Sequence, residues 1–567
     1  MNRLNRRNFL KAALAASGGV LVSTPLQAMS RPELPSDVSF RHGVASGDPL
    51  QDAVILWTRA TPVRDSDRLS PADRVRVTWE LARDRDFTQV LRRGSVETNI
   101  ARDYTIKIDV QGLEPATRYF YRFVGANEQS PVGQTRTLPV GSVEQLRLAV
   151  FSCSNYPAGY FNAYALAAQG GDWDAVLHLG DYIYEYPADG YATERAAEIG
   201  RALPADNGGE TLALADYRKR YALYRTDEDL QALHAAAPFI AVWDDHEVAN
   251  DTWKEGAENH SAEEGDFFAR RAAAIQAYYE WLPIRPPMGD TRPQIYRSFQ
   301  FGDLLDLHML DTRVIGRDKQ IDFAAYLGED GSFDGRAFGA ALADPERTLL
   351  GPTQRNWLAE TLEKSTGHWQ LLGQQVLMGK MLLPAEVLMS YYSRGKKPDP
   401  TRELVQLKAA SLQGQPLTDA QRARLAQVVP YNLDAWDGYA VEREALFRHI
   451  ARLKKNLVVV AGDTHNAWSN HLTDDSGRLV GLEFATPSVT SPGMEAYLKL
   501  DEQSAVELAR GMPVLIDDLQ YCNLHQRGFM SLTFNREQVQ AEWRFVDNID
   551  STEFSEAGSH RVVHRLV

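Results

Sequence analysis

Two cysteines, Cys153 and Cys522, are all that a chain of 567 residues holds. At most one disulfide can form, and spacing does not say whether the two meet. No run rich in Lys and Arg interrupts the sequence, and the formal net charge is −15. That excludes the basic footprint with which proteins track duplex nucleic acid. Past the amino-terminal segment no apolar stretch reaches the roughly 20 residues that a membrane-spanning helix needs. Internal repeats and low-complexity tracts are missing too. What remains is 44% hydrophobic, ample for a large buried core, and long enough for two folded domains.

The amino terminus carries an address. Asn5-Arg6-Arg7-Asn8-Phe9-Leu10-Lys11 precedes an Ala-rich apolar stretch from Ala12 to Val22, with cleavage expected after Ala28. The pattern is similar to a twin-arginine export signal and predicts a removable segment at 1–28. About a dozen apolar residues fall short of a hydrocarbon core of about 30 Å, which argues against a permanent anchor. The expected partner is the twin-arginine export machinery, and the expected location is periplasmic or secreted. A disulfide is the ordinary expectation in such an oxidising compartment. Cys153, however, stands among polar residues at the end of an apolar run, so a thiolate ligand, a buried free thiol and half a disulfide all stay open. Export of an already folded chain suits a thiolate loaded with metal before it meets oxidants.

Residues 38–140 read as short alternating strands punctuated by Gly, Pro and Asp turns: 53–57, 75–80, 104–109 and 119–123. Leu113-Glu114-Pro115-Ala116-Thr117-Arg118-Tyr119-Phe120-Tyr121 resembles a run found in fibronectin type III modules, so a small all-β sandwich is expected here. From 145 to about 550 the pattern changes class. Apolar runs at 148–151, 175–179, 239–243, 304–310, 369–372 and 457–461 alternate with helical stretches such as 267–281, 352–364 and 440–454. That predicts an α/β domain with a sheet core and flanking helices. The polar stretch 398–427 reads as a helical insertion.

Four apolar runs hand over directly to side chains that ligate metals: Ser152-Cys153-Ser154-Asn155, Gly180-Asp181-Tyr182-Ile183-Tyr184, Asp244-Asp245-His246-Glu247 and Gly462-Asp463-Thr464-His465. Carboxyl ends of strands line the ligand crevice of open α/β sheets, so clusters far apart in sequence can converge there. Asp181 suits a bridging role, because a carboxylate can offer one oxygen to each of two cations. Tyr184 can turn its phenol to the same ion, and a phenolate favours Fe(III) over zinc. Three acids around His246 are hard to accommodate after an apolar strand without a cation. Either Asp244 or Asp245 is expected to ligate, with His246 near the substrate and Asn250 and Asp251 adding oxygens of the kind calcium accepts. Asp463 and His465 alternate on an extended chain, although a turn after Gly462 would aim them at different cations. His178 and His308, inside apolar runs, are expected to be hydrogen-bonded core residues. Arg313, at the end of another run, either binds phosphate or braces the loop through an ion pair.

These residues carry a resemblance. Phe151-Ser152-Cys153-Ser154-Asn155, Gly180 to Tyr184, Trp243-Asp244-Asp245-His246-Glu247, Leu310-Asp311-Thr312-Arg313, Gly462 to His465, Thr486-Pro487-Ser488-Val489-Thr490-Ser491 and Gln526-Arg527-Gly528-Phe529-Met530 are similar to motifs of the alkaline phosphatase D (PhoD-like) family of metallophosphoesterases. The resemblance implies a metallophosphoesterase core behind a small β-sandwich, holding Fe(III) and Ca(II). It implies Cys153, Asp181, Tyr184 and His465 as iron ligands, and Asp181 and Asp463 with Asp245 or Asn250 as calcium ligands. Which acid of the Asp244–Asp245 pair faces metal is left open by the match. The implied reaction is hydrolysis of a small phosphate monoester, and of diesters, by a metal-bound hydroxide, with His246, Asp245 and Arg313 as catalytic residues. An acidic chain repels an anionic ester at long range, so such chemistry needs local positive charge from cations. The alternatives are a phospholipase D-like phosphodiesterase and, of another class, a binding protein that has lost catalysis.

Overall fold

The computed structural model describes residues 35–63, 74–286, 293–329, 332–392 and 399–566. The export segment foreseen at 1–28 lies outside them.

The amino-terminal part is all β, as its alternation predicts. It contains β1 (Val44–Gly47), β2 (Ala53–Arg59), β3 (Val75–Ala82), β4 (Val90–Thr98), β5 (Thr105–Gln111), β6 (Arg118–Val124) and β7 (Gly133–Arg136). A four-stranded sheet in the order β4-β3-β6-β7 lies across from β1-β2-β5. Val77, Leu81, Tyr119 and Tyr121 from the first share one core with Val54, Leu56, Ile106 and Val110 from the second.

The second of these sheets is not private to the module, and here the structure departs from a separate sandwich. β1 pairs in parallel with a core strand through Gly47 and Phe239, so the two parts share a nine-stranded sheet. A side chain at Gly47 would meet the Phe239 carbonyl oxygen at 2.6 Å and that of Pro283 at 2.4 Å, so this junction requires glycine.

The core follows with β8 (Leu146–Phe151), α1 (Asn162–Gly170), β9 (Ala175–His178), α2 (Leu214–Tyr224), β10 (Phe239–Ala241) and α3 (Phe267–Trp281). Next come β11 (Arg297–Phe301), β12 (Leu305–Met309), α4 (Gly351–Lys364), β13 (Trp369–Gly373), α5 (Thr401–Leu412), α6 (Asp419–Ala426), α7 (Ala440–Leu453) and β14 (Asn456–Ala461). The chain finishes with β15 (Ala467–Thr473), β16 (Leu479–Ala485), α8 (Met494–Tyr497), β17 (Leu519–Asn523), β18 (Arg527–Phe534), β19 (Gln538–Val546) and β20 (Glu556–Arg565). The insertion foreseen at 398–427 is the helix pair α5 and α6.

The core strands fall into two sheets, β20-β19-β18-β8-β9-β10-β1-β2-β5 and β11-β12-β13-β14-β16-β15-β17. They face each other across one apolar layer. On β14, Val458 and Val460 point into this layer, while Leu457, Val459 and Ala461 enter a second core beneath the flanking helices. Period-two alternation with both faces buried is why these strands read as unbroken apolar runs. Trp543 ties the layers by donating to the Ala485 carbonyl at 2.8 Å.

His178 and His308 are core residues. His178 Nε2 meets Tyr164 Oη at 2.8 Å, and His308 bonds to Ser298 and Gln370 at 2.8 and 3.0 Å. Both cysteines are free and buried. Cys522 packs in the second core, so the disulfide alternative does not hold.

Candidate metal centre

β8, β9 and β10 run parallel in one sheet, and β12, β13, β14 and β16 run parallel in the other. All their carboxyl ends open on the same crevice between the sheets. Cys153, Asp181, Asp245 and His246 descend from the first sheet, and Asp463 and His465 from the second. The single sheet end expected from sequence is therefore a seam between two sheets.

The turns that carry the ligands are tight. Cys153, Asp181, Asp463 and His465 all adopt left-handed backbone, with φ of 60, 54, 61 and 62°. Such non-glycine residues cost roughly 1–3 kcal/mol each and persist where surrounding structure enforces them. Asp463 and His465 are thus not on an extended chain, because Thr464 N closes on the Gly462 carbonyl at 2.6 Å. Ladder bonds continue beyond the strand ends: Cys153 N donates to Gly180 O at 3.2 Å and Ser154 N to Asp181 O at 2.9 Å. Gly180, at φ 109°, lies against Asp244, whose backbone N would be 2.4 Å from any added Cβ. Glu247 pins both turns by accepting from the backbone N–H of Asp181, Tyr182 and Asp244 at 3.0, 2.5 and 2.7 Å.

Three ligand groups result, each with its donor atoms within 4.8 Å of one another: Cys153, Asp181 and His465; Asp181, Asp245 and His246; Asp244, Asp245 and Asp463. Asp181 joins the first two and Asp245 the last two, which is the geometry of adjoining cations. Tyr184 Oη adds to the first group, 3.1 Å from Asp181 Oδ2 and 3.3 Å from His465 Nε2, and accepts from Ser491 Oγ at 2.6 Å. His465 Nδ1 donates to the Pro492 carbonyl at 2.6 Å, so its Nε2 carries the lone pair that faces the group.

The residues fit cations. Asp181 Oδ1 and Asp244 Oδ2 are buried without a hydrogen-bond partner. Burial pushes the Asp181 and Asp244 carboxyls well above the carboxylate range, against the pull of His246 and Arg313 respectively. Burial likewise takes Asp463 up to about 7 despite Arg313. Burial and then Asp181 raise the Cys153 thiol and the Tyr184 phenol. Acids crowded this closely ionise together only around added positive charge. A thiol, a phenol and an imidazole suit a transition metal, whereas the all-carboxylate group suits a hard cation such as calcium.

His246 Nδ1 lies 2.7 Å from Glu185, which also accepts from Asn250 N at 2.7 Å. Burial disfavours an imidazolium there, but Glu185, Asp245 and Asp181 outweigh it and raise His246 well above its ordinary range. Burial also opposes ionisation of Asp245, yet Arg313 and His246 hold it below the carboxylate range. Arg313 stands among four carboxylates, Asp245 included at 3.5 Å. It is fully buried and ion-paired to Asp244 at 2.5 Å, Asp463 at 2.7 Å and Asp434 at 2.8 Å, a geometry that suits bracing. The side-chain amide of Asn250 donates to Glu258 at 2.9 Å.

Sequence reasoning missed Glu185, Asp434 and Ser491 as parts of this site. Glu185 left a trace, an acid inside the aromatic run Tyr182 to Tyr186, and Ser491 belongs to a quoted motif. Asp434 left none, since it arrives from the loop before α7.

The family model of PhoD-like phosphatases matches residues 148–543, and that of their N-terminal domain matches residues 27–139. Alkaline phosphatase D of Bacillus subtilis (strain 168) is 34% identical over 557 residues, covering 96% of this chain and 84% of that protein. The solved structure of PhoD superposes with a TM-score of 0.72 at 32% identity, covering 95% of this chain and 94% of the other. The two family models match in the order of the two parts and the similarity runs over nearly the whole length, so the chain belongs to the PhoD-like phosphatase family.

Proposed function

We propose that the protein is an exported, metal-dependent phosphoesterase that hydrolyses phosphate monoesters, and diesters through the same site, outside the cytoplasmic membrane. One observation carries the reading: three ligand groups share Asp181 and Asp245 at the meeting of two sheets. Cys153, Asp181, Tyr184 and His465 would hold Fe(III). Asp181, Asp244 or Asp245, and Asp463 would hold calcium, with the carbonyl oxygen of Asn250 as a further donor. Bound there, the cations acidify water and offset the charge of the phosphoryl oxygens.

The chain's own groups do the rest. Glu185 holds His246 Nδ1–H, which aims Nε2 at the Asp181–Asp245 side of the crevice. From there His246 protonates the leaving oxygen, a step typically worth about 10² to 10⁴-fold. Arg313 fixes the carboxylates of Asp244 and Asp463 so that they need no reorganisation during the reaction. The bland alternative, a binding protein without catalysis, requires that a complete set of buried ligands be kept for nothing.

The test combines elemental analysis of natively purified protein with chromogenic mono- and diester assays. Iron and calcium are expected, together with a visible phenolate-to-iron band that the Tyr184→Phe variant loses. A colourless, iron-free protein with full turnover would overturn the iron assignment, and no turnover of either ester would overturn the activity.

A further inference from the structure

The loop after β16 carries four hydroxyls, on Thr486, Ser488, Thr490 and Ser491, and all four residues are buried. It lies against the turns that present the candidate iron ligands. Val489 N donates to Ser152 O at 3.1 Å, Thr490 N and Ser491 N to Cys153 O at 3.4 and 3.3 Å, and Ser488 N to His465 O at 3.2 Å. Three of the hydroxyls end on carbonyls. Thr486 donates to Val150 O at 3.0 Å, Ser488 to Ser491 O at 2.6 Å and Thr490 to Asn155 O at 2.7 Å. Those three brace the loop. The fourth is aimed at a side chain, because Ser491 Oγ lies 2.6 Å from Tyr184 Oη.

Ser491 has one hydroxyl proton and two acceptors in reach, Tyr184 Oη and, at 3.1 Å, the Cys153 carbonyl. That carbonyl has two lone pairs and already receives two backbone N–H groups, so the nearer phenol oxygen takes the proton. The other groups beside Oη send it none. Asp181 Oδ2, at 3.1 Å, accepts. His465 Nε2, at 3.3 Å, is the unprotonated nitrogen, since Nδ1 donates to Pro492 O. A separation of 2.6 Å also falls in the range of roughly 2.5–2.7 Å that a hydroxyl keeps to an ionised oxygen, the state in which Tyr184 would bind Fe(III).

We infer that Ser491 is a positioning residue that acts through Tyr184: its hydroxyl holds the phenolate oxygen and sets how strongly that oxygen donates to the iron. The inference rests on the iron reading of the site. A phenolate that accepts a hydrogen bond is a weaker donor, so Fe(III) bound to it keeps more of its Lewis acidity. The same bond lowers the energy of the phenolate electrons, and the charge-transfer band moves to shorter wavelength.

The test uses the iron-loaded protein and resonance Raman spectra excited in the visible phenolate-to-iron band. In the wild type the phenolate C–O stretch should move on transfer from water to heavy water, and in Ser491→Ala that isotope shift should vanish. The band of the variant should move to longer wavelength and its ferric midpoint potential to more negative values, and its iron affinity should fall about 10 to 100-fold in a chelator titration. Ser491→Thr, which keeps the hydroxyl, should restore the isotope shift. A coloured wild type without the isotope shift, or a Ser491→Ala protein whose band and potential match the wild type, overturns the inference and leaves the iron reading standing. The wild-type measurement decides by itself if the alanine variant does not fold. A wild type that holds no iron, or holds it without the band, brings down the iron reading and this inference with it.

Discussion

His246 and Glu185 form the smallest unit with a predicted consequence. The carboxylate fixes Nδ1 as a donor at 2.7 Å, which settles where the other nitrogen points. His246→Ala should keep both metals and lose about 10² to 10⁴-fold in kcat. Glu185→Gln leaves the imidazole in place but weakens its orientation, and a fall of about 10 to 100-fold in kcat is expected. Steady-state kinetics with metal content measured on the same samples checks both. An unchanged kcat in His246→Ala removes the residue from the mechanism, and an unchanged kcat in Glu185→Gln shows that orientation is supplied elsewhere. Residues at this scale were unevenly legible. Cys153, Asp181, Tyr184 and His465 announced themselves as polar side chains at the ends of apolar runs. Arg313 announced itself too, but its four carboxylate partners, all distant in the chain, did not.

At the scale of elements, the strand-to-loop turns are the working parts, and Glu247 holds two of them. Its side chain is buried and satisfies three backbone N–H groups from the turns after β9 and β10. Glu247→Ala strands those donors at about 1–3 kcal/mol each, so a loss of several kcal/mol is expected. Denaturant melts of wild type and variant read the difference, and the loosened Asp181 turn should release metal at lower chelator concentration. A variant as stable as the wild type would mean that water replaces the carboxylate. The helices α3, α4 and α7 match the stretches foreseen from sequence, because their boundaries depend on local periodicity and caps. At Gly462 to His465 the sequence left an extended chain and a turn both open, and the turn is the one formed, because left-handed backbone at Asp463 and His465 is imposed by the neighbouring loops rather than preferred by those residues.

At the scale of the whole molecule, acid is the telling perturbation. His42, His178 and His234 are buried and neutral; burial holds the first at about 2, the second at about 3 and the third well below 6.5. Folded values lie below the unfolded one, so the unfolded chain binds more protons between them. The stability is intact above pH 6.5 and is lost as pH falls towards 3. The three protons these histidines take up on unfolding contribute about 4 kcal/mol per pH unit to the slope below that point. Denaturant melts of metal-loaded protein between pH 7 and pH 5 measure it, and His42→Gln should flatten the slope by about one proton. A slope indifferent to that change would mean His42 titrates normally in the folded state.

The sequence by itself determined most strands up to β14, the helices α3, α4 and α7, where the fold changes class, and which side chains stand at strand ends, since all of these follow from local alternation and from the cost of burying polar groups. It also showed the family through its motifs. Only the tertiary structure decided that the two parts share a sheet through Gly47, that the ligands meet on a seam between two sheets, and that Asp434, Glu185 and Ser491 join them. Those choices depend on strand pairing and loop docking between residues up to several hundred positions apart, and no local pattern encodes a contact of that range.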